Sequence, residues 1–363
     1  LATQQTTTDQ FETHVTTLAI DAMGGDKAPF TTIEGVALAH KKHPDVHFKV
    51  FGLDSSVVPE LKKQGLWGHN KIQFVACSEI ISGATEPRLA IRQFKDSSMR
   101  RAIQAVADGE ADAVVSAGNT GAYMVLSKLL LKTIPGLQRP AITTLLPTKD
   151  GKGIVMLDLG ANVHVPADVL VQFCIMGQAF AKCVQGIRNP SVALLNIGSE
   201  ELKGTTVLKE AQSMIQKAGA VENYTGFIEG DDVFNGKVDV IVTDGFTGNV
   251  ALKTIEGTVK FVAEAMREEL KRTWITRLGA FISLSGFKAF KKRLDPRRYN
   301  GAQFLGLRGI SVKSHGGTDA FGFSCAISVA FDLAKNKVNE SLESEIETLQ
   351  EKLIIAESGA GLD

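Results

Sequence analysis

The chain has 363 residues, 44% hydrophobic and 22% charged, with 40 Lys plus Arg set against 40 Asp plus Glu. That length suits one large α/β unit or two smaller ones with a sizeable core, and the balanced charge argues against a nucleic-acid partner. No run of 18 apolar residues reads as a membrane span, and four scattered cysteines without a CxxC pair point to buried reduced thiols of a cytosolic protein, not a disulfide framework or metal site.

Residues 1–14, "LATQQTTTDQFETH", are polar and rich in Thr and Gln. They read as a disordered leader or an expression remnant, not as a signal peptide. From Val15 onward, apolar strand-like runs alternate with helical patterns. The strand runs are "LAIDAM", "VHFKVFG", "IQFVAC", "ADAVVSAG", "GIVMLDLG", "SVALLNIG" and "VDVIVTDG". Helix-length segments such as Thr31–Lys42, Ser97–Ala107 and Lys203–Ala218 lie between them. The alternation predicts a three-layer α/β/α unit with a mainly parallel sheet, over residues 15–355. No linker rich in Pro, Gly or Ser divides it. Near the C-terminus, Val338, Leu342, Ile346, Leu349 and Leu353 mark one face of an otherwise acidic helix, expected to pack on the body or on a sister subunit.

Most of the strand runs end in a glycine turn with polar side chains, and in open α/β sheets ligands bind at the carboxyl ends of strands. A helix N-terminus presents unpaired N–H groups and a partial positive charge, which suit phosphate. "SAGNTGA" supplies Ser116, Gly118, Asn119 and Thr120. "TDGFTGNVALK" supplies Asp244, Thr247, Gly248 and Asn249, with Lys253 one helical turn after Asn249. "NIGSEELKG" repeats the theme with Lys203 at the start of a helix. "DAMGGD" adds Asp21 and Asp26, and "DLGAN" adds Asp158 and Asn162. Each turn taken alone is equally read as a helix cap, and each acid as a carboxylate capping a neighbouring turn. There is no Walker GxxxxGK[ST] and no well-placed GxGxxG, so nucleotide and NAD lack their usual signature.

Together, "IDAMGGDKAP", "KDSSMRRAI", "VVSAGNTGA", "LDLGAN", "LNIGSEELKG", "VDVIVTDGFTGNVALKTIEG" and "YNGAQFLGLRGISVKSHG" resemble the bacterial phosphate acyltransferase of phospholipid synthesis. The likeness runs from about Leu18 to Ala334. It implies transfer of a fatty acyl group from acyl carrier protein to inorganic phosphate, giving acyl phosphate; no cofactor is expected, and no residues are assigned to a metal. It also implies a homodimer, and a fold similar to the isocitrate and isopropylmalate dehydrogenases and phosphotransacetylase.

The residues suit that chemistry. A phosphate ester has a second pKa of about 6, so phosphate is largely anionic near neutrality and nucleophilic without an enzyme base. The site must hold it beside the thioester carbonyl and stabilise the oxyanion that forms. Lys253, Asn249 and His315, in "KSHGG", are the catalytic candidates. His315 would serve as an acid or oxyanion donor, or else only as a hydrogen-bonder in its turn. No Ser/His/Asp or Cys/His arrangement is evident, which favours direct attack over an acyl-enzyme. Two other readings compete: an NAD-dependent decarboxylating dehydrogenase of similar fold, and a non-catalytic membrane-associated scaffold for lipid enzymes.

Two regions are basic. In "EPRLAIRQFKDSSMRR", Arg88, Arg92 and Lys95 would share one face if helical. They form a solvated face or a dock for an acidic carrier protein, or, for Lys95 with Ser98, part of the phosphate site. Lys271–Arg298 holds nine Lys and Arg against one Asp, near +8, so the rest of the chain stands near −8. It also carries Trp274, Ile275, Leu278, Phe281, Ile282, Leu284, Phe287 and Phe290, a pattern expected of an amphipathic hairpin on an anionic membrane surface. A helix pair in the dimer interface is the alternative. Peripheral membrane association of a cytoplasmic protein is the expectation.

Overall fold

The computed structural model describes residues 14–219 and 221–359; the first thirteen residues of the expected leader lie outside them. Eleven strands form one sheet: β1 (Thr17–Asp21), β2 (His47–Gly52), β3 (Ile72–Ala76), β4 (Ala113–Ser116), β5 (Ala141–Leu146), β6 (Ile154–Leu157), β7 (Val192–Leu195), β8 (Tyr224–Ile228), β9 (Val240–Val242), β10 (Ala302–Leu305) and β11 (Ile310–Lys313). The helices are α1 (Phe30–Lys42), α2 (Asp54–Lys63), α3 (Pro87–Arg92), α4 (Ser98–Ala107), α5 (Thr120–Leu131), α6 (Ala167–Gln185), α7 (Thr206–Ala218), α8 (Gly245–Arg272), α9 (Trp274–Ile282), α10 (Leu284–Leu294), α11 (Ala320–Lys335) and α12 (Val338–Gly359).

The sheet order is β3-β2-β1-β4-β11-β10-β5-β6-β9-β7-β8. Three pairings are antiparallel, β11–β10, β10–β5 and β5–β6, and the other seven are parallel. Side-chain alternation feeds two cores. Leu18, Ile20, Val155, Leu157, Val240 and Val242 join α1, α6 and α11 on one face. Ala19, Ile154, Met156 and Ile241 join α4 and α5 on the other. Burial on both faces is what makes these strands read as continuous apolar runs.

All seven expected strands are present. Four more, β5, β8, β10 and β11, were not expected. Helix α7 starts three residues later than the expected Lys203, because Thr205 is its N-cap and accepts the Leu208 N–H. Helix α6 is long and apolar enough by composition to cross a membrane, yet most of it is buried in the core.

On α12, Val338, Leu342 and Ile346 are buried against α6 and α7, and Lys182 Nζ meets Glu345 Oε1 at 2.8 Å. The expected packing on the body is therefore met; the side chains of Leu349 and Leu353 lie outside the described residues. Helix α8 has no buried residue beyond Gly248, and α9 has none at all.

Candidate functional site

Three neighbouring parallel strands, β1, β4 and β11, end side by side: Ile20 pairs with Val115, and Ser116 with Lys313. The last residue of β1, Asp21, is buried, and both its oxygens are held. Ser98 Oγ donates to Oδ1 and Ser116 Oγ to Oδ2, each at 2.6 Å. Burial raises the Asp21 pKa, opposed by these hydroxyls, the Met23 N–H and the charge of Lys313. Glycines let the three loops close around it. A Cβ on Gly24 would meet Gly118 N at 2.6 Å and Asp21 Oδ2 at 2.7 Å. The Asp26 N–H donates to Gly316 O at 3.0 Å, tying the first loop to the one after β11.

Lys313, last in β11, brings a cation into this group. Burial pushes its pKa down to about 8, while Asp21 and Asp26 draw it back up and Lys253 pushes it down further. Its ammonium donates to Ser314 O. Beyond it, the His315 N–H donates to Asn300 Oδ1 at 3.0 Å, and His315 Nδ1 accepts the Gly317 N–H at 3.1 Å. Desolvation lowers the His315 pKa, and Lys253, Lys313 and Lys260 lower it further against Glu256. With Nδ1 accepting, the neutral ring carries its proton on Nε2, which then acts as a donor.

Lys253 stands in the third turn of α8 and pairs with Glu256 at 2.8 Å. Its charge acts on both Lys313 and His315, so it belongs with them. At the N-terminus of α5, Asn119 Oδ1 accepts the Ala122 N–H, and its amide donates to Gly83 O and Thr85 O. The N–H groups of Thr120 and Gly121 find no acceptor among the described residues.

The other predicted residues do different work. Asp158 accepts the N–H groups of Ile142, Gly160, Ala161 and Asn162 and the Asn162 amide, and burial raises its pKa. The Asn162 amide also donates to Pro140 O. Both side chains are spent on building the turn after β6. Asp244 is the N-cap of α8 and accepts the N–H and hydroxyl of Thr247 at 2.9 Å each. Its carboxylate already occupies the positive end of that helix, so an anion bound there would meet like charge. Gly248 is where α8 packs onto Asp158: a Cβ there would collide with Asp158 O. Asn249 is exposed beside Gly160 and its amide makes no hydrogen bond within the described chain.

Two expectations fail on position. Lys203 lies before α7, not on it, and pairs with Glu200 at 2.8 Å; the charges acting on it are Glu200 and Glu229. Nothing joins it to the Lys313 group. Helix α3 ends at Arg92, so Lys95 does not share a helical face with Arg88 and Arg92; its ammonium donates to Ile91 O at 2.9 Å. Lys313 was missed altogether. Its signal was a lone lysine closing the apolar run "GISV" before "SHGG", the same strand-then-glycine plan as the other turns. Among the described residues no three His, Cys, Asp or Glu gather as metal ligands would. A hollow of about 430 Å³, lined by Ser199, Gln212, Tyr224 and Thr225, lies away from this site beside β8.

In fold, the chain is similar to a phosphotransacetylase from Streptococcus pyogenes (TM-score 0.61, 15% identity, 88% of this chain and 94% of that one). It is also similar to the EutD phosphotransacetylase from Staphylococcus aureus (TM-score 0.55, 15% identity, 90% and 94%). At that identity the likeness concerns the fold alone. The family model described as "Fatty acid synthesis protein" matches residues 16–341. A phosphate acyltransferase of Rhodospirillum rubrum is 48% identical over 92% of this chain and 95% of its own length. One from Alcanivorax borkumensis is 46% identical over 87% and 93%. The chain belongs to this phosphate acyltransferase family and is an acyltransferase. The dehydrogenase and scaffold readings are not favoured.

Proposed function

We propose that the acyl transfer to phosphate takes place at the ends of β1, β4 and β11, by direct attack of phosphate on the thioester of acyl carrier protein. The observation that carries this reading is the placing of Lys313 and His315 beside the buried Asp21 at the ends of β1, β4 and β11, within reach of the charge of Lys253 on α8. Two cations, with the free N–H groups of Thr120 and Gly121 at the start of the helix that follows the neighbouring strand β4, suit a dianion. A neutral His315 with Nε2–H suits the oxyanion of the tetrahedral intermediate. In the step, a phosphate oxygen bonds the carbonyl carbon; collapse of the intermediate expels the carrier thiolate and leaves acyl phosphate.

The buried cysteines and the two serines of the site do not compete as nucleophiles. Burial pushes the Cys77 thiol up to about 11 and raises that of Cys174 as well. Ser98 and Ser116 are buried with their hydroxyls committed to Asp21. The test is intact-mass measurement after mixing with acyl carrier thioester in the absence of phosphate. Unmodified protein is expected, and a stoichiometric acyl adduct would overturn direct attack.

The same reading places the enzyme in the cytoplasm as a homodimer resting on an anionic membrane through residues 271–298. Trp274, Ile275, Leu278, Phe281 and Ile282 all stand exposed on α9, which supports attachment where the acyl product would partition.

A further inference from the structure

We propose that Asn300 is a positioning residue that sets the direction of the His315 side chain. This rests on the reading of His315 as the oxyanion donor. Asn300 uses every part of its amide on the loop that carries that histidine and on the helix that follows it. Oδ1 accepts the His315 N–H at 3.0 Å, and Nδ2 donates to Ser314 Oγ at 2.8 Å and to Gly322 O at 2.7 Å. One planar group thus ties the loop after β11 to the first turn of α11. A carboxylate cannot donate to Gly322 O, and a shorter side chain cannot reach both sides.

The position of Asn300 is itself fixed. It follows the short 3-10 turn Pro296–Tyr299, where the basic hairpin rejoins the body. In that turn Arg297 binds Asp295 at 2.6 Å and the N-cap of α11, Asp319, also at 2.6 Å. Arg293 donates to Thr148 O and Lys149 O. Gly301, with φ near +122°, lets the chain turn at once into β10. The anchored turn holds Asn300, Asn300 holds the His315 main chain, and the bond from Gly317 N–H to Nδ1 fixes the ring. Nε2–H then points in one direction without reorganising during reaction. The charges facing the ring are Lys253, Glu256 and Lys260 of α8 and Lys313 of β11.

A double-mutant cycle separates positioning from mere structure. His315→Ala is expected to lower kcat about 10- to 100-fold, and Asn300→Ala to lower it within that same range, with KM for phosphate little changed. In the His315→Ala background, Asn300→Ala should cost nothing further. In the Asn300→Ala protein, the His315 ring titration followed by NMR should rise toward the ordinary histidine value, since burial is the first cause of its depression. If Asn300→Ala does not fold, Asn300→Asp replaces it in the same cycle; it keeps an acceptor for the His315 N–H and loses the donor to Gly322 O. Equal losses from the Asn300 change in both backgrounds overturn the proposal while leaving His315 in place. A His315→Ala enzyme with unchanged kcat instead removes the role of His315, and that of Asn300 with it.

Discussion

Asp21 and Ser116 end neighbouring parallel strands, and Ser116 Oγ donates to Asp21 Oδ2 at 2.6 Å. With Ser98 on the other oxygen, the carboxylate is held in place as the counter-charge that raises the Lys313 pKa. Asp21→Asn removes the charge and keeps the shape. The Lys313 pKa should then fall below its value of about 8, and the enzyme should lose its cation at lower pH. The alkaline limb of kcat/KM for phosphate is expected to move toward acid. A limb that stays where it was would show that Asp21 does not serve Lys313.

Lys313 predicts a trade between stability and activity. Its pKa drops from 10.5 to about 8 on folding. Between those values the unfolded chain holds the extra proton, so wild-type stability rises with pH across that window and is lowest below it. At 1.36 kcal/mol per unit, the shift amounts to at most about 3 kcal/mol of strain at neutral pH. Lys313→Met should raise stability at pH 7 by up to that amount and flatten the rise between pH 8 and 10.5, while phosphate turnover collapses. Denaturant unfolding at three pH values, with parallel assays, checks both halves.

Lys253 is exposed and its ion pair with Glu256 is one turn long, so the pair contributes little to stability. Lys253→Ala should leave the melting temperature unchanged. Loss of one charge-assisted contact, about 1.5–3 kcal/mol, should raise KM for phosphate roughly ten- to a hundredfold. It should also raise the His315 pKa, because after burial the Lys253 charge does most to depress it. Unaltered phosphate kinetics would remove Lys253 from the site.

Gly248 tests the assignment of the β6 and β9 turns to architecture. A Cβ there meets the main-chain oxygen of Asp158, which cannot rotate away. Gly248→Ala should destabilise the fold by about 1–3 kcal/mol through overpacking, seen as a lower urea midpoint. A neutral result would mean that the helix and the turn are not in contact.

The seven expected strands were legible as short apolar runs, buried on both faces in all but the edge strand β3. The four missed ones were not, for separate reasons. Strand β8 contains Gly226 with φ near +90°, and polar residues interrupt the apolar runs of β5 at Thr143 and Thr144 and of β11 at Ser311. Strand β10 carries a buried Gln303 whose side-chain amide finds no hydrogen-bond partner among the described residues, where a core strand normally shows an apolar side chain. Within the site, glycine turns were legible as turns, but their polar residues divided in a way spacing cannot show. Asp158, Asn162, Asp244 and Thr247 bond one another or the main chain; Asn249 and Thr120 do not. Lys313 escaped because its strand did.

The basic hairpin offers the last prediction. Helices α9 and α10 have 9 and 11 residues, about 14 and 16 Å at 1.5 Å per residue, too short to cross about 30 Å of hydrocarbon. They suit a surface. Trp274 and Phe281 are each 74% exposed, as is Ile282, on one face of α9. The charge available is smaller than the nine cations suggest, because Arg272 pairs with Glu269, Arg297 pairs with Asp295 and Asp319, and Arg293 binds two carbonyls. At about 1 kcal/mol per lysine or arginine near anionic lipid, the lysines without an ion pair among the described residues, Lys271, Lys288 and Lys292, steer, while apolar insertion supplies the rest. Binding to phosphatidylglycerol vesicles should therefore survive moderate salt. It should be lost in the Trp274→Asp/Phe281→Asp double variant, while that protein keeps the oligomeric state of the wild type and its activity on soluble substrates. A dimer covering α9 predicts the reverse. The variant would then sediment as a monomer, and the exposed face would belong to a subunit interface instead of a membrane.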